Sequence, residues 1–521
     1  MTIPWLTILA LLPAVGAVVL IFTGAKGAKQ LALVFSLLTF AFALVIASRF
    51  RIGGGMQLVE QVPWIKPLWA YYALGLDGLG LTLVLLVVII TPVVIIASWR
   101  DFDGVGVSAE PIDGRAATIA PKYDARVFFA LILAVQSCAL FLFLATDVFL
   151  FYVFFEVILV PMYFLIGGFW PGPRRTYAAA KFLIFGLLGG FVMLASVIGL
   201  YVQSAKVGAP SYLLSTLSQL DIATGTGRWL FVGFMFAFAI KAPLVPLHTW
   251  LPDAAEESTP GSATMMVGVM DKIGTFGMIR FCLGLFPEAS QWATPVVLVL
   301  ATISILYGAI LAIGSRDIMR FIAYTSISHF GFIVLGIFAF TSQSLTGSTL
   351  YMLNHGMSTA ALFVMAGYLI KRRGSRDINA YGGVDQVAPV LAGLLLFAGL
   401  STLSLPGLSS FVSEFMVLAG TFGRHPAYAA ISTLAIVLAA LYILIMYQRT
   451  MTGPVAPEVR EKVTEVNGRE RLAMAPLVLL ILALGFFPKP LLSIIEPSTQ
   501  ATMQHVGVTD PQPRVSAEGG R

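Results

Sequence analysis

The sequence predicts an all-α polytopic membrane protein with about fourteen transmembrane helices, organised as two inverted five-helix repeats. Three observations predict it. The chain has 521 residues, of which 58% are hydrophobic and 11% charged, with a mean hydropathy of +0.89; soluble domains carry about 25% charged residues. Apolar runs of about 20 residues, enough to cross a bilayer, recur along the whole chain. Two of these runs are interrupted by proline five helices apart, at 240–246 and 405–410. An odd offset reverses the direction of the second unit, as in the inverted repeats of transporters.

In order, an N-terminal block (1–126) holds spans at 3–22, 29–48 and 78–99 and ends in a basic loop. The first span lacks a basic leading region and a small-residue cleavage site, so it reads as a retained helix. The first repeat (127–284) holds helices 4–8, at 127–146, 148–169, 178–203, 229–247 and 262–284. The second (293–449) holds helices 9–13, at 293–314, 318–340, 346–370, 388–421 and 428–449. Helices 7 and 12 are the broken ones. A last block (450–496) carries a span at 473–495, and the polar tail 497–521 reads as disordered. Asp77 and Asp147 sit where they would cap the helices that follow them.

Lys and Arg set the orientation. The odd-numbered loops hold 19 of them, including Lys26, Arg115, Arg174, Arg316 and Arg376, and the even-numbered loops hold 7. Cytoplasmic loops are the basic ones, which places both termini on the outer side. The net charge of +6 therefore reflects topology and gives no support to nucleic-acid binding. Cys138 and Cys282 stand alone in apolar helices, without a CxxC pair. The sequence supports no zinc site, iron–sulfur site, nucleotide loop or redox centre.

What remains is a set of charges inside the spans: Glu156, Lys181, Lys241, Lys272 and Glu414. Each costs roughly 2.5–3.5 kcal/mol on insertion scales, so five of them point to a path for protons or ions. Lys241 ends the first half of its broken helix, where the backbone dipole favours a cation. Glu414 follows Ser410, a candidate N-cap, in the first turn of a second half-helix, where an anion is favoured. Glu156 is expected beside Lys181 and Lys241, either as a static ion pair or as a switchable one. Lys272 lies among Gly268, Gly274 and Gly277, with room for water; the alternative is snorkelling to an interface. His329 and His355 lie on the sequence path from Lys272 to Glu414 and titrate near neutral pH when unperturbed, although a membrane histidine is also a common structural residue. Tyr324, Ser326, Ser328, Ser358 and Thr359 are candidate water holders or simple helix glue. Asp253, Glu256, Glu257, His425 and His505 are expected in solvent, and His248 in a loop.

The run Lys241, Pro243, Pro246, His248, Trp250-Leu251-Pro252-Asp253-Ala254, Pro260-Gly261-Ser262, continued by Lys272, Gly274, Phe276 and Gly277, resembles the signature of the antiporter-like subunits of respiratory complex I. The resemblance covers roughly helices 3 to 14. It implies a proton-translocating subunit of the membrane arm, driven by quinone reduction elsewhere. By the same resemblance Glu156 is the helix-5 glutamate, Lys181 the helix-6 lysine, and Lys241 the broken-helix lysine. Lys272 is then the central lysine, His329 and His355 the connecting histidines, and Glu414 the terminal acidic residue. It implies no cofactor in this chain, with NADH, FMN, iron–sulfur clusters and quinone in partner subunits. It also implies a place in the cytoplasmic membrane beside the antiporter-like subunits L and N. Two features separate the chain from those two. Glu414 stands where L, N and multisubunit sodium/proton antiporters usually have lysine, and the long lateral helix of L is missing after helix 14. Ala255 replaces the histidine that usually follows Leu-Pro-Asp-Ala, and Asp271 replaces a residue that is usually apolar. A sodium/proton antiporter subunit and a connector without its own channel are the competing readings; a quinone site has no convergent polar pocket in the sequence.

Overall fold

The computed structural model describes residues 3–102, 121–170 and 172–512; Arg115, counted among the basic residues above, and the end of the polar tail lie outside the described residues. Helices α1 (Trp5–Ile21) and α2 (Ala25–Arg49) open the chain. They lead into an antiparallel hairpin, β1 (Gln57–Ile65) and β2 (Ala70–Leu76), paired Glu60 to Leu74 and Val62 to Tyr72. The all-α expectation is wrong here. Pro63 lies in β1 and Pro67 in the turn, places where proline is tolerated. The hairpin has a structural use. Glu60 accepts from the Leu6 amide (2.6 Å) and the Thr7 amide (3.1 Å), supplying the N-terminal acceptor that α1 lacks of its own.

Next come α3 (Gly78–Ala97), α4 (Ala125–Leu144), α5 (Val148–Val157) and its near-continuous partner α6 (Leu159–Gly168). Asp77 accepts from the Gly80 amide at 2.8 Å and Asp147 from that of Leu150 at 2.9 Å, as the capping pattern predicts. Then follow α7 (Arg175–Lys206), α8 (Leu214–Leu217), α9 (Thr224–Lys241), α10 (Trp250–Glu256), α11 (Pro260–Met265) and α12 (Lys272–Gly277). Two π-helical turns, Met266–Met270 and Met278–Leu283, flank α12; such turns are rare and concentrate at functional sites. The remainder is α13 (Pro287–Gly314), α14 (Ile318–Phe338), α15 (Ser342–Arg373), α16 (Val384–Val387), α17 (Pro389–Thr402), α18 (Ser409–Arg424), α19 (Pro426–Met451), α20 (Pro457–Lys462), α21 (Gly468–Phe486) and α22 (Lys489–Val506).

Among the described residues, nine helices are long and apolar enough to cross a membrane, or ten if α21 and α22, bent by 72°, form one span. The protein is therefore a multi-pass membrane protein. Several predicted spans are divided between shorter helices, such as α17 with α18, because a proline break leaves neither half long enough alone. Burial separates the layers: the apolar windows of α14 and α15 are 94% buried, whereas those of α7 and α19 are 39% buried. The first two form the centre, and the others present one face outward. Over its described residues, 497–512, the tail is not the disordered segment expected. Helix α22 runs on to Val506, Thr499 bonds Thr346 at 2.7 Å, and Asp510 accepts from the Ser342 amide at 2.7 Å. Its polar residues find partners on α15, which composition alone does not reveal.

Candidate functional site

The first break is built by Pro243 and Pro246, which supply no amide to continue α9. The Trp250 indole N–H donates to the Ile240 carbonyl at 3.0 Å, and the Val245 amide donates to Ser304 Oγ at 3.0 Å. These bonds hold the interrupted backbone at its turn. Lys241, the last residue of α9, is 2% exposed; its ammonium has no hydrogen-bond partner and lies 4.6 Å from the centre of the Phe155 ring. Phe155 belongs to a cluster with Phe151, Phe238, Phe276 and Phe281, whose rings stack and cross at 4.4–6.3 Å. The cation thus lies over an aromatic face, whose quadrupole attracts it.

Glu156, one helix away on α5, is half-buried with Oε1 unpartnered, and it packs on Gly190 of α7 so closely that any Cβ there would collide with the carboxylate. Lys181 is not its partner. Gly190 lies nine residues further along α7, about 13 Å at 1.5 Å per residue. Lys181 instead binds Asp253 at 2.7 Å, as the sequence could not show from helix spacing alone.

That pair opens an ionic cluster at the helix ends. Arg320 holds Asp253 at 2.9 Å and Glu256 at 2.6 Å, and Arg376 holds Asp317 at 3.2 Å. The expectation that Asp253, Glu256 and Glu257 are solvated is wrong: Asp253 and Glu256 are bound by these cations, and Glu257 is 3% exposed. Burial pushes the Glu257 carboxyl up to about 7 and that of Asp317 up to about 6. An unfolded carboxyl releases its proton near 4.3. Between that value and about 7 the folded chain holds protons that the unfolded chain has lost, so stability falls as pH rises through this window. Replacing Glu257 by glutamine is expected to remove a loss of up to about 4 kcal/mol. Thermal denaturation of the solubilised protein at about pH 5 and about pH 8 measures it; an unchanged pH slope in the variant refutes the assignment.

The centre of the site is Lys272. It is fully buried, so the snorkelling alternative fails, and Nζ donates to the Val267 carbonyl at 2.6 Å and lies 2.8 Å from His355 Nδ1. The His355 and His329 rings meet edge to face at 5.2 Å, and His329 Nε2 is 3.4 Å from the Tyr442 hydroxyl. The His329 and Tyr351 rings lie 5.9 Å apart, and Tyr351 donates to Glu414 Oε2 at 2.7 Å. Ser404, at the second break, donates to the same oxygen at 2.6 Å. Spatial order is therefore Lys272, His355, His329, the two tyrosines, then Glu414; chain order would put His329 first.

The second break differs in detail from its expectation. Helix α18 begins at Ser409, with Leu408 as its N-cap, so Ser410 lies inside the helix and Glu414 falls in its second turn. Gly407 takes φ +93°, and its carbonyl lies where a side chain at Gly485 of α21 would sit. Ser326 and Ser328 donate to the backbone carbonyls of Ile322 and Ile305, and Ser358 bonds Ser401 and Ser410: these are helix glue. His248 lies in the turn but is 5% exposed, against Tyr307. His425 is not fully solvated, since its Nε2 is buried, while His505 is exposed and bonds Gly284. Tyr351 and Tyr442 were missed by sequence reasoning. Tyr351 stands four residues before His355, on the same helix face, and that spacing was the available signal.

A bundle of apolar helices in which two interrupted members each carry a buried charged residue has the architecture of transporter-type membrane proteins. The chain belongs to the NADH:quinone oxidoreductase/Mrp antiporter transmembrane family, which matches it over residues 145–443. It is 48% identical to NADH-quinone oxidoreductase subunit M of Mycobacterium tuberculosis, covering 99% of this chain and 96% of that one. It is 33% identical to subunit M of Escherichia coli K12, covering 94% and 96%. In structure it resembles a chain of respiratory complex I from Thermus thermophilus, with a TM-score of 0.86 and 31% identity, covering 96% and 100%. A chain of the Mrp complex from Dietzia shares the fold at a TM-score of 0.82 and 21% identity, covering 97% and 100%.

Proposed function

We propose that this chain is the M-type antiporter-like subunit of an NADH–quinone oxidoreductase and moves protons out of the cytoplasm. The observation that carries the reading is the buried line Lys272, His355, His329, Tyr351, Glu414, with the buried Lys241 at the first break, all among apolar helices. A proton arrives near Lys241, passes Lys272 and the histidines, and leaves by Glu414. Glu156 and Lys241 act as the gate. Drawing two unit charges apart from about 4 to about 8 Å at an effective dielectric of 20 changes their energy by about 2 kcal/mol. Moving one charge against 100 mV costs about 2.3 kcal/mol, so the gate and the load are of one size.

The finer architecture belongs to the same proposal: fourteen transmembrane segments when the half-helices are joined, two inverted five-helix repeats meeting at the breaks, and both termini on the outer side. The chain serves as a non-redox translocase subunit beside subunits L and N, with NADH, FMN, iron–sulfur clusters and quinone held by partners. Sodium transport is disfavoured by the ligands themselves. The line is mostly lysine and histidine nitrogen, whereas a hard cation takes several oxygens. In inverted membrane vesicles holding the assembled complex, NADH is expected to acidify the lumen equally well in sodium-free medium. Acidification that requires sodium would replace this reading with the antiporter one.

A further inference from the structure

Asp271 is fully buried, and neither carboxylate oxygen has a hydrogen-bond partner. An unpartnered group of this kind costs several kcal/mol unless water or a mobile proton serves it. Its place in the fold narrows the role. Gly274, three residues on, lies so close to the end of α9 that a Cβ there would meet the Ala242 amide nitrogen at 2.6 Å and the Phe238 carbonyl at 2.7 Å. Residues three apart share a helix face, so Asp271 faces the broken end of α9, where Lys241 sits. Lys272, the next residue, points about 100° away and reaches His355 on α15. The carboxylate interacts electrostatically with both lysines.

Gln136 of α4 is also fully buried with neither amide atom partnered. Seven residues past it, Phe143 packs on Phe276 at 5.3 Å, and Phe128 approaches Gly261, so α4 runs parallel to this segment. Gln136 is therefore nearly level with Asp271. Two buried polar side chains without partners thus lie at nearly one level along these helices, and Asp271 faces the end of α9 that carries the unpartnered Lys241 ammonium.

We propose that Asp271 is the relay group that carries the proton from Lys241 to Lys272, across a small hydrated pocket shared with Gln136. The inference rests on the proton-translocating reading above. The Lys241 ammonium gives a proton to the Asp271 carboxylate, leaving a neutral amine and a carboxylic acid. The acid then gives it to Lys272, which has already passed its own proton to His355. The carboxylate is restored, and no other bond changes.

The test is Asp271→Asn in the assembled complex, read as NADH-driven proton translocation in inverted vesicles. Asparagine keeps the shape and cannot take up a proton. A loss of at least roughly tenfold is expected, with recovery in Asp271→Glu; normal translocation in the asparagine variant overturns the proposal. If asparagine prevents assembly, Asp271→Ser stands in: a high rate with glutamate and a low rate with serine supports the relay, and equal rates overturn it. A protonated-carboxyl infrared band that rises in turnover in the wild type and is missing from the variant separates proton carriage from a fixed counter-charge. Its absence from the wild type overturns the relay. Lys241→Ala, run alongside, distinguishes the failures. If it loses translocation while Asp271→Asn does not, only this inference fails; if neither does, the underlying reading fails too.

Discussion

Lys241→Ala is expected to abolish redox-driven proton translocation, and with it most NADH–quinone turnover, while the complex still assembles. The ammonium it removes makes no hydrogen bond and is held by the Phe155 face. Its loss therefore strands no partner donor or acceptor, and the structural cost is a small cavity in an aromatic cluster. The functional cost is larger. Glu156 loses its gating cation, and Lys272 loses its proton source. A tenfold fall in turnover corresponds to about 1.4 kcal/mol, less than the price of one charge against 100 mV, so the measured fall should exceed it. Translocation near the wild-type rate, with assembly confirmed on a native gel, would remove Lys241 from the path and favour the connector reading.

Glu414→Gln is the second strong expectation. Tyr351 and Ser404 both donate to Oε2 of this carboxyl. Glutamine keeps a carbonyl oxygen for them, so thermal stability should change by less than about 1 kcal/mol. Alanine would strand two buried hydroxyls at roughly 1–3 kcal/mol each and confuse folding with function. Because glutamine cannot accept or release the proton, translocation should fall as steeply as in Lys241→Ala. Stable protein that still pumps would show that Glu414 is a hydrogen-bonding strut between α15, the second break and α18.

Much of the site could be read before any coordinate. Lys241, Lys272 and Glu414 announced themselves as charges in apolar runs, and proline located both breaks. Asp77 and Asp147 capped the helices they precede. Partnership was harder. Lys181 and Glu156 stand on the neighbouring helices α7 and α5, yet Lys181 pairs with Asp253 because that aspartate, from the helix after the break, reaches its level. The ionic cluster beside Glu257 depends on Arg320 and Arg376 arriving from α14 and from the turn after α15. Nothing local to 253–257 foretold that. Tyr351 and Tyr442 look like any packing aromatics in a sequence, and become relay candidates only where their hydroxyls meet Glu414 and His329.

By itself the sequence determined that the chain lives in a membrane, which helices break, and that Lys241, Lys272 and Glu414 are buried. Those properties follow from composition and from local backbone chemistry: apolar length, missing proline amides, and the cost of an ion in hydrocarbon. Only the tertiary structure decided the order Lys272, His355, His329, Glu414, the β-hairpin that caps α1, and which acid faces which base. Those depend on the rotation and depth of each helix against its neighbours, which are set by packing between residues far apart in the chain.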